Sequence, residues 1–178
     1  MTESLYQAHY CEENIWHLAQ DARIDTAKAQ VIVVSNSAKC CAMWHQKASP
    51  NPEQPVLWDY HVILFEGGER HQLWDLDSTL GTPMSPSSYI AKTWEHLSTV
   101  PDAFRPRFRL VGASEYIAQL SSDRSHMLVS EGNYKEPPPE WPAILAGGED
   151  SNLHRFINMD LPFLGRVLSY EEFSADVG

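Results

Sequence analysis

The stretch "HYCEENIW", residues 9–16, sets a cysteine directly before two glutamates and the first apolar residues of a helical pattern. Ile15, Trp16, Leu18, Ala19 and Ala22 fall at the spacing of one helix face over residues 12–22, which puts Cys11 at the helix N-terminus. The positive end of a helix dipole favours thiolate there, and a thiolate is a nucleophile. A cysteine nucleophile needs a base to take its proton and to protonate the leaving group. That base in turn needs an acceptor on its other ring nitrogen. His61 and Asp75 are of the right types, provided the segments that carry them come together. Singly, each has a plain structural reading: an inert buried thiol, a hydrogen-bonded core histidine, an acid near a turn.

The segments do have the pattern of a hairpin. "VLWDYHVILF", residues 56–65, is apolar on both faces and reads as one central, covered strand; "EGGER" turns it into "HQLWDLDS". Opposed residues on antiparallel strands share a face, and a slip of one residue sends a side chain to the other face. A loop of Gly67 and Gly68 alone would set His61 opposite Trp74. A three-residue loop, Gly67, Gly68 and Glu69, or a five-residue one, is expected to set His61 opposite Asp75, with Cβ atoms about 5 Å apart. A metal site built on Asp75 with His71, Asp77 and His126 is the competing arrangement. The chain has no dense ligand spacing of the H-E-x-x-H or paired C-x-x-C kind, so no metal and no cofactor are expected.

Further elements surround this pair. "QVIVVSN" (30–36) and "RFRLVGA" (107–113) read as strands, and the proline-containing "SPNPEQP" (49–55) as a surface loop. "SPSSYIAKTWEHL" opens with Ser85 as an N-cap and Pro86 at the first helical position. "SEYIAQLS", "NLHRFINM" and "SYEEFSADV" read as short helices, the last with Ser169 and Glu172 at capping-box spacing. The prolines of "EGNYKEPPPEWP" forbid regular structure there.

The whole chain bounds these readings. Its 178 residues suit one domain, expected to span 1–178 as a single catalytic unit, and 43% hydrophobic with 21% charged residues suits a folded soluble protein. A net charge of −11 argues against nucleic acid as a partner, because that affinity rests on lysine and arginine neutralising phosphates. "MTESLYQAHY" has neither a basic nor an apolar signal region, and no stretch is long enough to span a bilayer, so no membrane partner and a cytoplasmic location are expected. Three cysteines, two of them adjacent as Cys40 and Cys41, read as thiols in a reducing compartment. A monomer is expected.

In order and spacing, "YCEENIW", "WDYHVIL", "DLDS", "SDRSHM", "EPPPEWP" and "FINMD" resemble the N-terminal glutamine amidohydrolases, from about Tyr10 to Phe173. The resemblance implies a Cys-His-Asp triad on an α/β scaffold of α+β type, transglutaminase-like or papain-like, in which helices flank a central, mostly antiparallel sheet and the nucleophile starts a helix. Carried over residue by residue, the nucleophile falls on Cys11, the base on His61 and the orienting acid on Asp75. The implied reaction is hydrolysis of the side-chain amide of an N-terminal glutamine, in a protein or peptide, to glutamate and ammonia through a thioester. The Cys11 N–H would stabilise the oxyanion. An enzyme restricted to terminal glutamine must reward the free α-ammonium. Glu12, Glu13, Asp59 and Asp123 are the candidate carboxylates, with Ser125 as a polar neighbour in the same loop as Asp123. A cysteine protease or transamidase with the same three residues, or a non-catalytic binder of N-terminal glutamine, are the alternatives.

Overall fold

The computed structural model describes residues 5–178. Among them five α-helices and eleven short strands follow one another. α1 (Cys11–Leu18) leads to β1 (Ala29–Ser35), β2 (Cys41–Met43), β3 (Val56–Trp58), β4 (His61–Glu66) and β5 (Gln72–Trp74). α2 (Pro86–Thr93), β6 (Arg107–Gly112), α3 (Ala113–Gln119), β7 (Ser121–Ser122), β8 (Leu128–Ser130) and β9 (Asn133–Tyr134) come next. β10 (Ile144–Leu145), α4 (Leu153–Ile157), β11 (Arg166–Leu168) and α5 (Tyr170–Val177) complete the chain. The main sheet has the order β11-β6-β1-β4-β5, and every neighbouring pair in it is antiparallel. Three two-stranded ribbons, β2-β3, β7-β10 and β8-β9, lie outside it.

Both faces of the sheet are covered, so β1 and β4 carry apolar residues on both sides rather than alternating. Val31, Val33, Val62, Leu64 and Val111 point to one side, where they pack with Ile15 and Leu18 of α1, Tyr116 of α3 and Phe156 of α4. Ile32, Val34, Ile63, Phe65 and Leu110 point to the other side, against Tyr89 and Ile90 of α2 and Phe173 and Val177 of α5. These are the layers of a single domain of helices on an antiparallel sheet. Arg109 of β6 is buried on the first side and donates to the carbonyls of Phe156, Asn158, Leu161 and Leu164, pinning the segment after α4 without a carboxylate.

Most expected elements are present with shifted ends. α1 stops at Leu18, because residues 19–22 form turns. α2 begins at Pro86, and α5 carries the capping box in full, Ser169 accepting from the Glu172 N–H while Glu172 accepts from the Ser169 N–H. The run 56–65 is not one strand. It breaks at Asp59 and Tyr60, so that its first part pairs with β2 and its second enters the main sheet between β1 and β5.

The hairpin register corrects the expected pairing. Leu64 opposes Trp74, Phe65 opposes Leu73 and Glu66 opposes Gln72, so the loop is the five residues 67–71 and Gly68 within it has φ +75°. Five is an odd number, and His61 and Asp75 therefore do lie on one face. Extending the same register sets Asp75 opposite Ile63, however, so that Asp75 is a diagonal neighbour of His61 just past the end of β5. The imidazole reaches across that diagonal to the carboxylate, at 2.8 Å.

Candidate active site

His61 opens β4 and is fully buried; its Nε2 donates to Asp75 Oδ1 at 2.8 Å. Asp75 collects three further donors: the Asp77 N–H on Oδ1 at 2.9 Å, the Tyr89 hydroxyl on Oδ2 at 2.8 Å and Gln46 Nε2 on Oδ2 at 3.1 Å. Trp58 stacks on the His61 ring, with centroids 5.3 Å apart and planes 14° apart, and its indole N–H donates to Gln46 Oε1. The imidazole is thus fixed on its flat side and at one nitrogen. Its Nδ1 is buried and has no hydrogen-bond partner.

Burial by itself would raise the Asp75 carboxyl, but His61 and the hydrogen bonds from His61, Gln46 and Tyr89 outweigh it and hold that carboxyl below the ordinary range. Burial likewise pulls His61 down, and the facing Asp75 more than reverses this, leaving the imidazole more basic than usual.

Cys11 is the first residue of α1 and only 6% exposed. α1 packs against β4, the strand that His61 opens. The helix start does not make Cys11 acidic. Burial, with Glu12 and Asp77 adding to it, pushes the thiol well above its ordinary range, and the Val62 N–H opposes this only in part. The resting sulfur therefore keeps its proton, and a strong neighbouring base is needed to remove it.

A cavity of about 640 Å³ opens over Cys11, with Trp58, Asp59, Tyr60, Asp77, Ser125 and His126 in its walls. The candidate carboxylates are placed very differently around it. Glu13 is fully buried in a two-pronged pair with Arg124, Nε to Oε1 and Nη2 to Oε2 both at 2.8 Å, and also accepts the Trp141 indole N–H at 2.7 Å. It has no oxygen left for a ligand and lines no part of the cavity. Glu12 is also fully buried, behind the wall, with Tyr60 and His126 between it and the opening. Asp123 is exposed, outside the cavity, and spends Oδ1 on the N–H and hydroxyl of Ser125. Asp59 does line the cavity, is exposed, and uses only Oδ1, on the Tyr60 N–H at 2.9 Å. Ser125 lines it as well.

Sequence reasoning missed Gln46, Trp58, Tyr60 and Tyr89 as parts of this site. Trp58 and Tyr60 stand in "WDYH", three and one residues before His61 opens β4, and Tyr89 lies on the inward face of a helix legible from its cap; Gln46 carries no local signal. His61, Asp75 and Asp77 could offer one ligand atom each within 4.8 Å of one another. Their atoms already serve one another: Nε2 of His61 donates to Asp75, and Asp77 accepts the Tyr6 hydroxyl at 2.6 Å. Such a set suits a hydrogen-bonded pair better than a cation.

Comparison with known proteins gives a consistent picture. Residues 6–177 match the model of the family described as N-terminal glutamine amidase. The chain is 35% identical to a human protein N-terminal glutamine amidohydrolase over 181 residues, covering 98% of this chain and 88% of the human one. It is 41% identical to the Caenorhabditis elegans protein of that name over 161 residues, 88% of this chain and 86% of the relative. The zebrafish, Danio rerio, counterpart is 32% identical over 183 residues, 99% of this chain and 90% of the relative.

Proposed function

The chain belongs to the N-terminal glutamine amidase family, and from that premise we propose how its residues carry the reaction. It is an amidohydrolase that deamidates the N-terminal glutamine of proteins. The observation that supports a particular set of residues is the buried 2.8 Å pair of His61 and Asp75 at the start of β4, the strand against which α1 packs with the helix-initial, cavity-lining Cys11.

His61 Nδ1, the ring nitrogen without a partner, takes the Cys11 proton as sulfur attacks the carboxamide carbon. Concerted removal fits a thiol that burial holds protonated and an imidazole that Asp75 makes basic. The tetrahedral oxyanion collapses as His61 returns the proton to the departing ammonia. Water, deprotonated by His61, then attacks the thioester, and glutamate leaves with Cys11 reprotonated. Asp75 keeps the imidazole in one tautomer throughout. A helix-initial nucleophile beside an antiparallel sheet with helices on both faces supports the transglutaminase-like or papain-like reading of the scaffold.

For the free α-ammonium the proposed anchor is Asp59, the candidate carboxylate that borders the cavity with an oxygen to spare. Because Asp59 is exposed, its ion pair should contribute about 1 kcal/mol, roughly a fivefold to tenfold preference for a free over an acetylated substrate. The test is ammonia release from a short peptide beginning with glutamine and from its N-acetylated form. Cys11→Ala should release none from either, and Asp59→Asn should narrow the preference while retaining turnover. Ammonia release by Cys11→Ala would remove the nucleophile assignment, and an unchanged preference in Asp59→Asn would move recognition to Asp77 or to backbone carbonyls.

A further inference from the structure

A buried polar chain that the Cys-His-Asp account does not use lies behind the cavity wall. The Tyr60 hydroxyl is 2.9 Å from Glu12 Oε2 and 3.2 Å from His126 Nε2, while Tyr60 and Cys11 line the same cavity. Glu12 Oε2 is itself 3.9 Å from the Cys11 sulfur, so the phenol stands one carboxyl group away from the nucleophile. Glu12 Oε1 is buried without a hydrogen-bond partner, with His126 Nε2 3.6 Å away. Resting on the assignment of Cys11 as nucleophile, we propose that the Tyr60 hydroxyl is a second oxyanion donor beside the Cys11 N–H, and that Glu12, as a neutral carboxylic acid, and His126 are the positioning residues that aim it.

A phenol has one proton to give and can accept two. Were Glu12 ionised, the phenol proton would go to it and none would be left for substrate. With Glu12 protonated, its O–H donates to the phenol oxygen and the His126 Nε2–H fills the second acceptor position. The phenol proton then has only the cavity to point into. Nδ1 of His126, buried and unpartnered, is the nitrogen that carries no proton in this arrangement. Burial, with Glu13 and Asp59 nearby, outweighs the Glu12 N–H and the Tyr60 hydroxyl, which favour the anion, and pushes the Glu12 carboxyl up to about 7. A neutral Glu12 also removes the awkwardness of a glutamate beside the nucleophile, since an anion there would oppose the charge that develops on the carboxamide oxygen.

The test compares two rates in the full-length protein: ammonia release from a glutamine-initiated peptide, and alkylation of Cys11 by iodoacetamide followed by peptide mapping. Alkylation displaces iodide from a methylene carbon and generates no oxyanion, so it reports on the thiol alone. Tyr60→Phe should lower kcat on the order of a hundredfold to a thousandfold, with KM and the alkylation rate within about threefold of wild type. Glu12→Ala should lose turnover to a similar degree, and Glu12→Gln, whose amide can donate the same bond to the phenol, should regain most of that loss. Wild-type turnover in Tyr60→Phe overturns the proposal, as does a parallel fall in turnover and alkylation, which would place Tyr60 in service of the thiol. Glu12→Gln as slow as Glu12→Ala overturns the neutral-acid role, and Tyr60→Phe and Glu12→Gln remain informative if Glu12→Ala does not fold. Cys11→Ala keeps the two levels apart, because ammonia release in that variant defeats the nucleophile assignment whatever Tyr60 does.

Discussion

At the scale of single residues, environment assigns opposite states to carboxyls that look alike in a sequence. Asp75 has four donors around it and stays ionised, whereas Glu12 has one unsatisfied buried oxygen and resists ionisation. Asp75→Asn should reduce kcat by about 10³ to 10⁴ with KM little changed, because an amide that donates to His61 holds the wrong tautomer; steady-state kinetics with the wild-type peptide checks this. Glu12 leaves a mark on stability too. Its carboxyl rises from an ordinary 4.5 to about 7 on folding, so between those values the unfolded chain has released a proton that the folded protein still holds. Its stabilising contribution is full below pH 4.5 and is lost as pH rises to about 7. Relative to Glu12→Gln, which does not titrate, wild type should lose on the order of 3 kcal/mol of unfolding free energy between pH 4.5 and 8. Urea titrations of both proteins at the two pH values measure the difference, and a constant difference would show that Glu12 ionises normally. The residue types of Cys11, His61 and Asp75, and the phase that lets two of them meet, could be read from the chain. Which of Glu12, Glu13, Asp59 and Asp123 faces the cavity could not, since charge is visible in a sequence and burial is not.

At the scale of elements, local signals carried the helices well and the hairpin incompletely. Pro86 and the Ser169–Glu172 box mark α2 and α5 because those residues act on the backbone within one turn. The pairing of β4 with β5 depends instead on where a five-residue loop lets the ladder close, and that is decided by both strands at once. The break at Asp59 and Tyr60 was hidden for the same reason: the run around it is apolar enough for one strand, and only the competing partners β2 and β1 divide it. A second contact joins distant elements in a way no local pattern announces. Arg124, at φ +64° between Asp123 and Ser125, grips Glu13 of α1 and the carbonyl of Trp141, so the start of α1 and the proline-rich stretch share one buried guanidinium. Glu13→Gln should strand that charge and cost about 3 kcal/mol, roughly 6 to 12 °C in Tm. Replacing Glu13 and Arg124 together by methionine should recover most of the loss. Equal destabilisation by the single and double variants in thermal melts would show that the pair is valued for its shape and not its charge.

At the scale of the molecule, the net charge of −11 surrounds a cavity bordered by Asp59, Asp77 and Glu136 as well as by Lys39 and Lys135. Such a field should draw in a peptide with a free amino terminus and additional lysines, so kcat/KM for that peptide should fall severalfold, roughly, between low and half-molar salt while kcat holds steady. A salt-independent kcat/KM would locate recognition wholly in short contacts. Among the described residues no helix is long and apolar enough to cross a membrane. Cavity walls come from segments as far apart as His9 and Ile157, which is why the sequence named several participants without drawing the enclosure. The corner between β3 and β4 carries a consequence for anyone redesigning this scaffold. Asp59 and Tyr60, which border the cavity, and the fully buried His61 are consecutive, on a turn that lets the chain change sheets. Loop grafting, the usual route to a new specificity, is closed here, because a graft that replaces Asp59 also re-aims its two neighbours. A library aimed at different amino-terminal side chains would have to vary other lining residues, such as Lys39, Ser125 and His154, and leave this tripeptide untouched.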